Sequence, residues 1–138
     1  MTPKFFTLDE ADRLLAGLEP LMRRLHAKRQ ELREHQQTLE EFKARAMRDG
    51  GVLPGSELAQ AKGESVRLLA EIQEGIQQIE SRGCVVKDLD HGVVDFLAPR
   101  GRQQVFLCWR LGEPEIRFWH GLQEGSAARK PLQEDPPD

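Results

Sequence analysis

A chain of 138 residues with net charge −3, 31% charged and 38% hydrophobic, fits one domain or a compact unit with an elongated extension. No apolar run reaches the roughly 18–20 residues that cross a bilayer, the N-terminus lacks the apolar stretch of a secretory signal, and two cysteines make no disulfide framework. A cytoplasmic protein without a membrane partner is expected, and the net negative charge argues against nucleic acid, whose phosphates require clustered cations.

Phe6-Thr7-Leu8-Asp9-Glu10 reads as a helix start. Thr7 can accept from the third backbone N–H of the first turn while Glu10 reaches back, a capping box. Apolar residues then recur at three-four spacing: Ala11, Leu14, Leu18, Leu21, Leu25, Leu32, Leu39, Phe42 and Ala46. Lys28 and His35 interrupt the seam and weaken a coiled-coil reading. Pro20, with Gly17 nearby, predicts a kink or break, because proline removes one helical hydrogen bond and crowds the carbonyl of Ala16. The helix is expected over about 7–48.

Residues 50–56, GGVLPGS, end that element. They superficially resemble a phosphate loop, but no lysine and no preceding strand accompany them, so a glycine-rich helix–helix turn is the better reading. Ser56 is placed to cap a second helix over about 56–82, with Leu58, Ala61, Leu68, Leu69, Ile72, Ile76 and Ile79 on one face. Two helices joined this way predict an antiparallel hairpin over residues 1–82. The first is longer, so part of its apolar stripe must be covered by the C-terminal segment or by another subunit.

After Gly83 the period shortens. Strands are predicted near 84–87, 93–98, 104–110 and 115–119, separated by Asp90-His91-Gly92, Pro99-Arg100-Gly101 and Leu111-Gly112-Glu113-Pro114. The run Val105-Phe106-Leu107-Cys108-Trp109 is apolar on both faces, as an inner strand would be. The fold class is therefore α+β: a long antiparallel α-helical hairpin followed by a small antiparallel β-meander of three to four strands over 83–125, with 126–138 a largely disordered tail.

Chemistry concentrates in 84–120, which holds both tryptophans, both cysteines and two of the four histidines. Asp88, Asp90, His91 and Asp95 form its densest polar group. Carboxylates with imidazole suit a metal, but Asp-x-Asp-His-Gly is also ordinary turn chemistry, and the turn reading is preferred. Strand alternation sets Asp95 on the face opposite Val94 and Phe96, toward solvent or a polar cleft. Cys108, Glu113 and His120 complete the candidate ligand set, although their spacing is not the paired pattern of a zinc motif. A buried structural cysteine and a hydrogen-bonded histidine are the preferred readings of Cys108 and His120, and a thiol catalytic pair ranks lower still, since nothing nearby announces thiolate activation. Arg23, Arg24, Lys28, Arg29 and Arg33 spread around the helix axis, which favours a solvated face over a nucleic-acid surface.

Several stretches resemble one family. They are Phe6-Thr7-Leu8-Asp9-Glu10-Ala11, Val86-Lys87-Asp88-Leu89-Asp90, Gly92-Val93-Val94-Asp95-Phe96, Leu107-Cys108-Trp109-Arg110-Leu111-Gly112-Glu113 and Trp119-His120. Together they resemble the small prokaryotic proteins of domain-of-unknown-function family 2203, over most of residues 5–132. The chain departs at Leu97, where the family pattern has proline, and at Gly125-Ser126-Ala127-Ala128-Arg129, where it has Gly-Phe-Ala-Gly-Arg. The resemblance implies a bacterial cytoplasmic origin and supplies no activity.

The uncovered helix stripe and the doubly apolar strand predict a non-enzymatic module acting by protein–protein contact. Such a module would be a homodimer, with Leu25, Leu32, Leu39, Phe42, Phe106 and Trp109 at its interface, or would take a protein partner along the hairpin. No cofactor is expected. The competing expectation is a small ligand- or metal-binding domain, with or without enzymatic activity, using Asp88, Asp90, Asp95, Cys108, Glu113 and His120.

Overall fold

The computed structural model describes residues 4–50 and 55–132, so residues 51–54 of the glycine-rich turn lie outside the described residues. Helix α1 spans Leu8–Arg48 and helix α2 Gly55–Glu80. The capping box forms as the sequence predicts: Glu10 N–H donates to Thr7 Oγ1 (3.1 Å) and Thr7 N–H donates to Glu10 Oε1 (3.0 Å). α1 passes Pro20 without a break. Pro20 is exposed, so the carbonyl its ring leaves unpaired is on the side where water can satisfy it. Among the described residues no helix is long and apolar enough to cross a membrane.

The helices form the expected hairpin. They approach closely where Gly75 meets Leu25; a Cβ at Gly75 would run into the Leu25 side chain. α2 ends short of the start of α1, and the surplus stripe of α1 (Ala11, Leu15, Leu18 and Met22) joins one continuous core with the sheet. The sheet covers this part of the stripe that the hairpin leaves open. Three further contacts tie the start of the chain to its C-terminal half. Phe6 N–H donates to Leu97 O (2.8 Å) while its ring meets Phe96 edge-on at 5.3 Å, and Ile116 N–H donates to Asp12 Oδ1 (2.8 Å).

Five antiparallel strands complete the chain in sequential order: β1 Val85–Asp88, β2 Val93–Arg100, β3 Gln103–Arg110, β4 Phe118–Gly121 and β5 Lys130–Pro131. This corrects the expected three to four strands. The additional strand, β5, pairs with β4 through Phe118↔Pro131 and Trp119↔Lys130, inside the stretch expected to be a disordered tail. A 3-10 turn at Ser126–Ala128 leads into it. A two-residue strand beginning next to a proline carries almost no periodic signal, which is why the segment reads as tail. The strand expected at 115–119 also lies later, at Phe118–Gly121, because Ile116 turns inward to α1 and is buried there.

β3 is an inner strand, flanked by β2 and β4. One face of the sheet, with Val94, Phe96, Ala98, Val105, Leu107, Trp109 and Trp119, belongs to the core shared with the helices. Of the proposed interface residues, Leu25, Leu32 and Trp109 are buried within the chain's own core, while Leu39, Phe42 and Phe106 are half-buried.

Candidate functional site

The opposite face of the sheet carries the chemistry. In the β2–β3 register Asp95 stands directly across from Cys108, and in the β3–β4 register Phe106 stands across from His120. Period-two alternation puts all four side chains on the face turned away from the helix core. Asp95 and His120 belong to strands on either side of β3, and their side chains reach over it: His120 Nε2 lies 2.8 Å from Asp95 Oδ2. Potential ligand atoms of Asp95, Cys108 and His120 all lie within 4.8 Å of one another. Asp95 and Cys108 are 0% exposed and His120 2%. Alternation correctly assigns Asp95 to this face, but the face is closed over it and does not leave it toward solvent.

Hydrogen-bond chemistry fixes the imidazole. His120 Nδ1 lies 2.9 Å from Gly121 O, and a carbonyl can only accept, so Nδ1 carries a proton and donates it. Nε2 is thereby turned to Asp95 and Cys108. This is the arrangement found around ligating histidines, in which one ring N–H is held by a backbone carbonyl and the other nitrogen is free to bind metal. The Gly121 peptide is itself anchored, its N–H donating to Glu124 Oε1 (2.7 Å), which also accepts from Lys130 Nζ (3.0 Å).

One atom lacks what buried polar atoms ordinarily have. Asp95 Oδ1 is buried without a hydrogen-bond partner among the described residues. Burial pushes the Asp95 carboxyl above its ordinary value, although His120, Cys108 and Lys87 all pull it down. Burial, reinforced by the Asp95 carboxylate, pushes the Cys108 thiol up to about 12. A thiol held neutral at physiological pH is not a nucleophile, so the Cys–His pair is not a thiol catalytic centre in this state. A bound divalent cation reverses that balance, since a coordinating thiol is deprotonated by the metal.

The donor set fits such a cation. Thiolate, imidazole and carboxylate are the ligands of zinc and its borderline neighbours, with bonds of about 2.0–2.3 Å and hence ligand separations of roughly 3.3–3.8 Å in a tetrahedron. Side-chain adjustments of about 1 Å would close the observed spread onto one ion. A divalent ion with one carboxylate, one thiolate and one neutral imidazole is electrically neutral, which is the form that a water-free setting tolerates.

The other expected ligands lie elsewhere. Asp88 accepts from His91 N–H (3.1 Å) and contacts His91 Nδ1 (2.7 Å), closing the β1–β2 turn. Asp90 clamps that turn to α1 through Arg29 (3.2 Å) and Arg33 (3.0 Å), and His26 Nδ1 meets Leu89 O (2.9 Å) alongside. These residues are turn and clamp chemistry, and two members of the basic run are engaged by it. Glu113 stands one step back: its Oε1 accepts from Arg110 N–H (2.7 Å) and from Arg129 (3.0 Å), and its carbonyl accepts from Trp109 Nε1 (2.8 Å).

Two residues at the site escape the sequence reading. The Arg129 guanidinium lies over the Phe118 ring (4.1 Å) and against the Cys108 sulfur. Desolvation works against its charge, but Glu113 and Cys108 together raise its pKa further. Lys87 Nζ lies 4.5 Å from the centroid of Phe106, whose ring meets that of His120 at 5.6 Å, and its charge acts on Asp95. The final arginine of the Gly-Phe-Ala-Gly-Arg pattern, kept here as Arg129, is the one available signal for the first. Nothing in the local sequence marks Lys87.

No curated protein and no solved structure matches the chain. A family model described as "Uncharacterized conserved protein (DUF2203)" matches residues 4–132, and the chain belongs to that family.

Proposed function

We propose that the protein is a small metal-binding domain that holds a divalent transition ion, zinc-like in its ligand preference, between Asp95, Cys108 and His120. The observation that carries this reading is the convergence of three buried ligand atoms within 4.8 Å, one of their carboxylate oxygens otherwise unpartnered. Burying an aspartate, a cysteine and a histidine together on the sheet face away from the helices contributes little to packing that apolar residues would not contribute better. A cation gives each of them a role.

Self-association rests on a weaker basis. Its motives are the helix stripe and the doubly apolar strand, and the stripe from Ala11 to Met22 packs into a core shared with the sheet. The exposed apolar residues of α2, Val66 and Leu69, are of the scattered kind that soluble surfaces ordinarily carry.

The reading is tested by zinc titration of metal-stripped protein against a chromophoric chelator, with elemental analysis of protein purified without chelators. One equivalent bound by the wild type, and none by Asp95→Asn or His120→Asn while both variants stay folded, is expected. Equal binding by wild type and both variants, or no binding by any, refutes it.

A further inference from the structure

Three protein ligands leave one position of a tetrahedral ion to be filled, and the sheet face that carries them also carries positive charge. From the Asp95 side comes Lys87, held over Phe106 and exposed to solvent. From the Cys108 side comes Arg129, half-buried over Phe118. Arg110 lies two residues beyond Cys108 on the same face of β3, and its Nε is buried with no hydrogen-bond partner among the described residues.

Formal charges decide what this environment accepts. The ion with Asp95, Cys108 and neutral His120 sums to zero. Arg129 is matched by Glu113 at 3.0 Å, and Glu124, the acid anchoring Gly121, is matched by Lys130 at 3.0 Å. Among the described residues Lys87 and Arg110 have no acidic partner, leaving two positive charges on the sheet face that carries the three ligands. The buried Arg110 Nε–H lacks an acceptor, which a hydrogen-bond donor ligand would not supply. An oxyanion would satisfy the metal, the lysine and the guanidinium together, in the geometry for which arginine is suited.

We infer that the open position binds the head group of a small oxyanion, a carboxylate or a phosphate, recognised jointly by the metal, Lys87 and Arg110. This rests on the metal-binding reading above. Phe106 and Phe118, each beneath one of the cations, give the rest of such a ligand apolar walls.

The test uses full-length protein loaded with cobalt, whose visible spectrum reports the coordination shell. Sodium phosphate, sodium acetate and imidazole are titrated separately at constant ionic strength into the wild type and into the double variant Lys87→Ala/Arg110→Ala. Phosphate or acetate should change the wild-type spectrum saturably, and the tighter of the two assigns the head group. The double variant should still take up one equivalent of cobalt and respond to neutral imidazole, and should bind that anion at least about tenfold more weakly. Equal anion affinity in both proteins, or an imidazole response without any anion response, overturns the inference while leaving the metal site standing. Failure of the wild type to take up cobalt removes the metal reading, and this inference with it.

Discussion

Asp95 and His120 meet above the middle strand of the sheet, Nε2 to Oδ2 at 2.8 Å, with side chains only 1% and 3% exposed. Breaking a buried pair by removing one partner ordinarily costs a protein several kcal/mol, whereas replacing a charge by a neutral isostere that keeps the hydrogen bond is often neutral or stabilising. Asparagine is such an isostere. With Nδ1–H donated to Gly121 O, Nε2 of a neutral His120 can accept from an asparagine side chain at position 95.

Because burial raises the Asp95 pKa, its protonated form is favoured in the folded state. The associated stability is fully present below the ordinary aspartate pKa of about 4 and is lost as pH rises through the folded value. Asp95→Asn does not titrate. Metal-free Asp95→Asn should therefore match wild type below about pH 4 and become more stable toward pH 7, by about 1–3 kcal/mol, in urea melts across that range. A loss of stability at pH 7 would make Asp95 a structural partner instead of a ligand.

Metal entry must displace protons. The Cys108 thiol holds one, with a pKa pushed to about 12 by burial and by Asp95. The 2.8 Å contact between Nε2 and Oδ2 holds another, whichever atom carries it. About two protons should be released per zinc bound near pH 7, measured in weakly buffered solution, and Cys108→Ser should release about one fewer.

Neither cysteine of the metal-free protein should react readily with a thiol reagent at pH 8. Cys84 and Cys108 are both buried, and burial raises the Cys84 pKa to about 11 as well. Labelling should become complete only in denaturant, which mass spectrometry reads directly.

Asp88 and Asp90 serve as the control. The ion pairs of Asp90 with Arg29 and Arg33 are partly exposed, so Asp90→Ala should cost no more than about 1 kcal/mol. Metal affinity should stay within about twofold of wild type in Asp88→Ala and in Asp90→Ala, since neither carboxylate belongs to the site.

How far the sequence reaches depends on the range of each signal. The capping box at Thr7 and Glu10, the three-four stripe of α1 and the alternation of β2 and β3 are local patterns, and the helices and those strands lie where the patterns put them. Asp95, Cys108 and His120 are among the six candidate ligands by residue type alone, and no spacing distinguishes them from Asp88, Asp90 and Glu113. Their convergence depends on strand register, Asp95↔Cys108 and Phe106↔His120, which pairs residues distant in the chain. The same limit hides Lys87, Arg129 and the two-residue β5, each meaningful only through a neighbour across the sheet. Leu25, Leu32 and Trp109 show the converse case: an apolar residue looks the same in the sequence whether its own chain or another chain covers it.

The most direct measurement is X-ray absorption at the zinc edge on protein carrying one equivalent of zinc. The three-residue site predicts a four-coordinate shell with one sulfur at about 2.3 Å and nitrogen or oxygen neighbours at about 2.0–2.1 Å, the sulfur disappearing in Cys108→Ser. A shell of nitrogen and oxygen alone in the wild type, or a sulfur that persists in Cys108→Ser, would contradict a metal held by Asp95, Cys108 and His120.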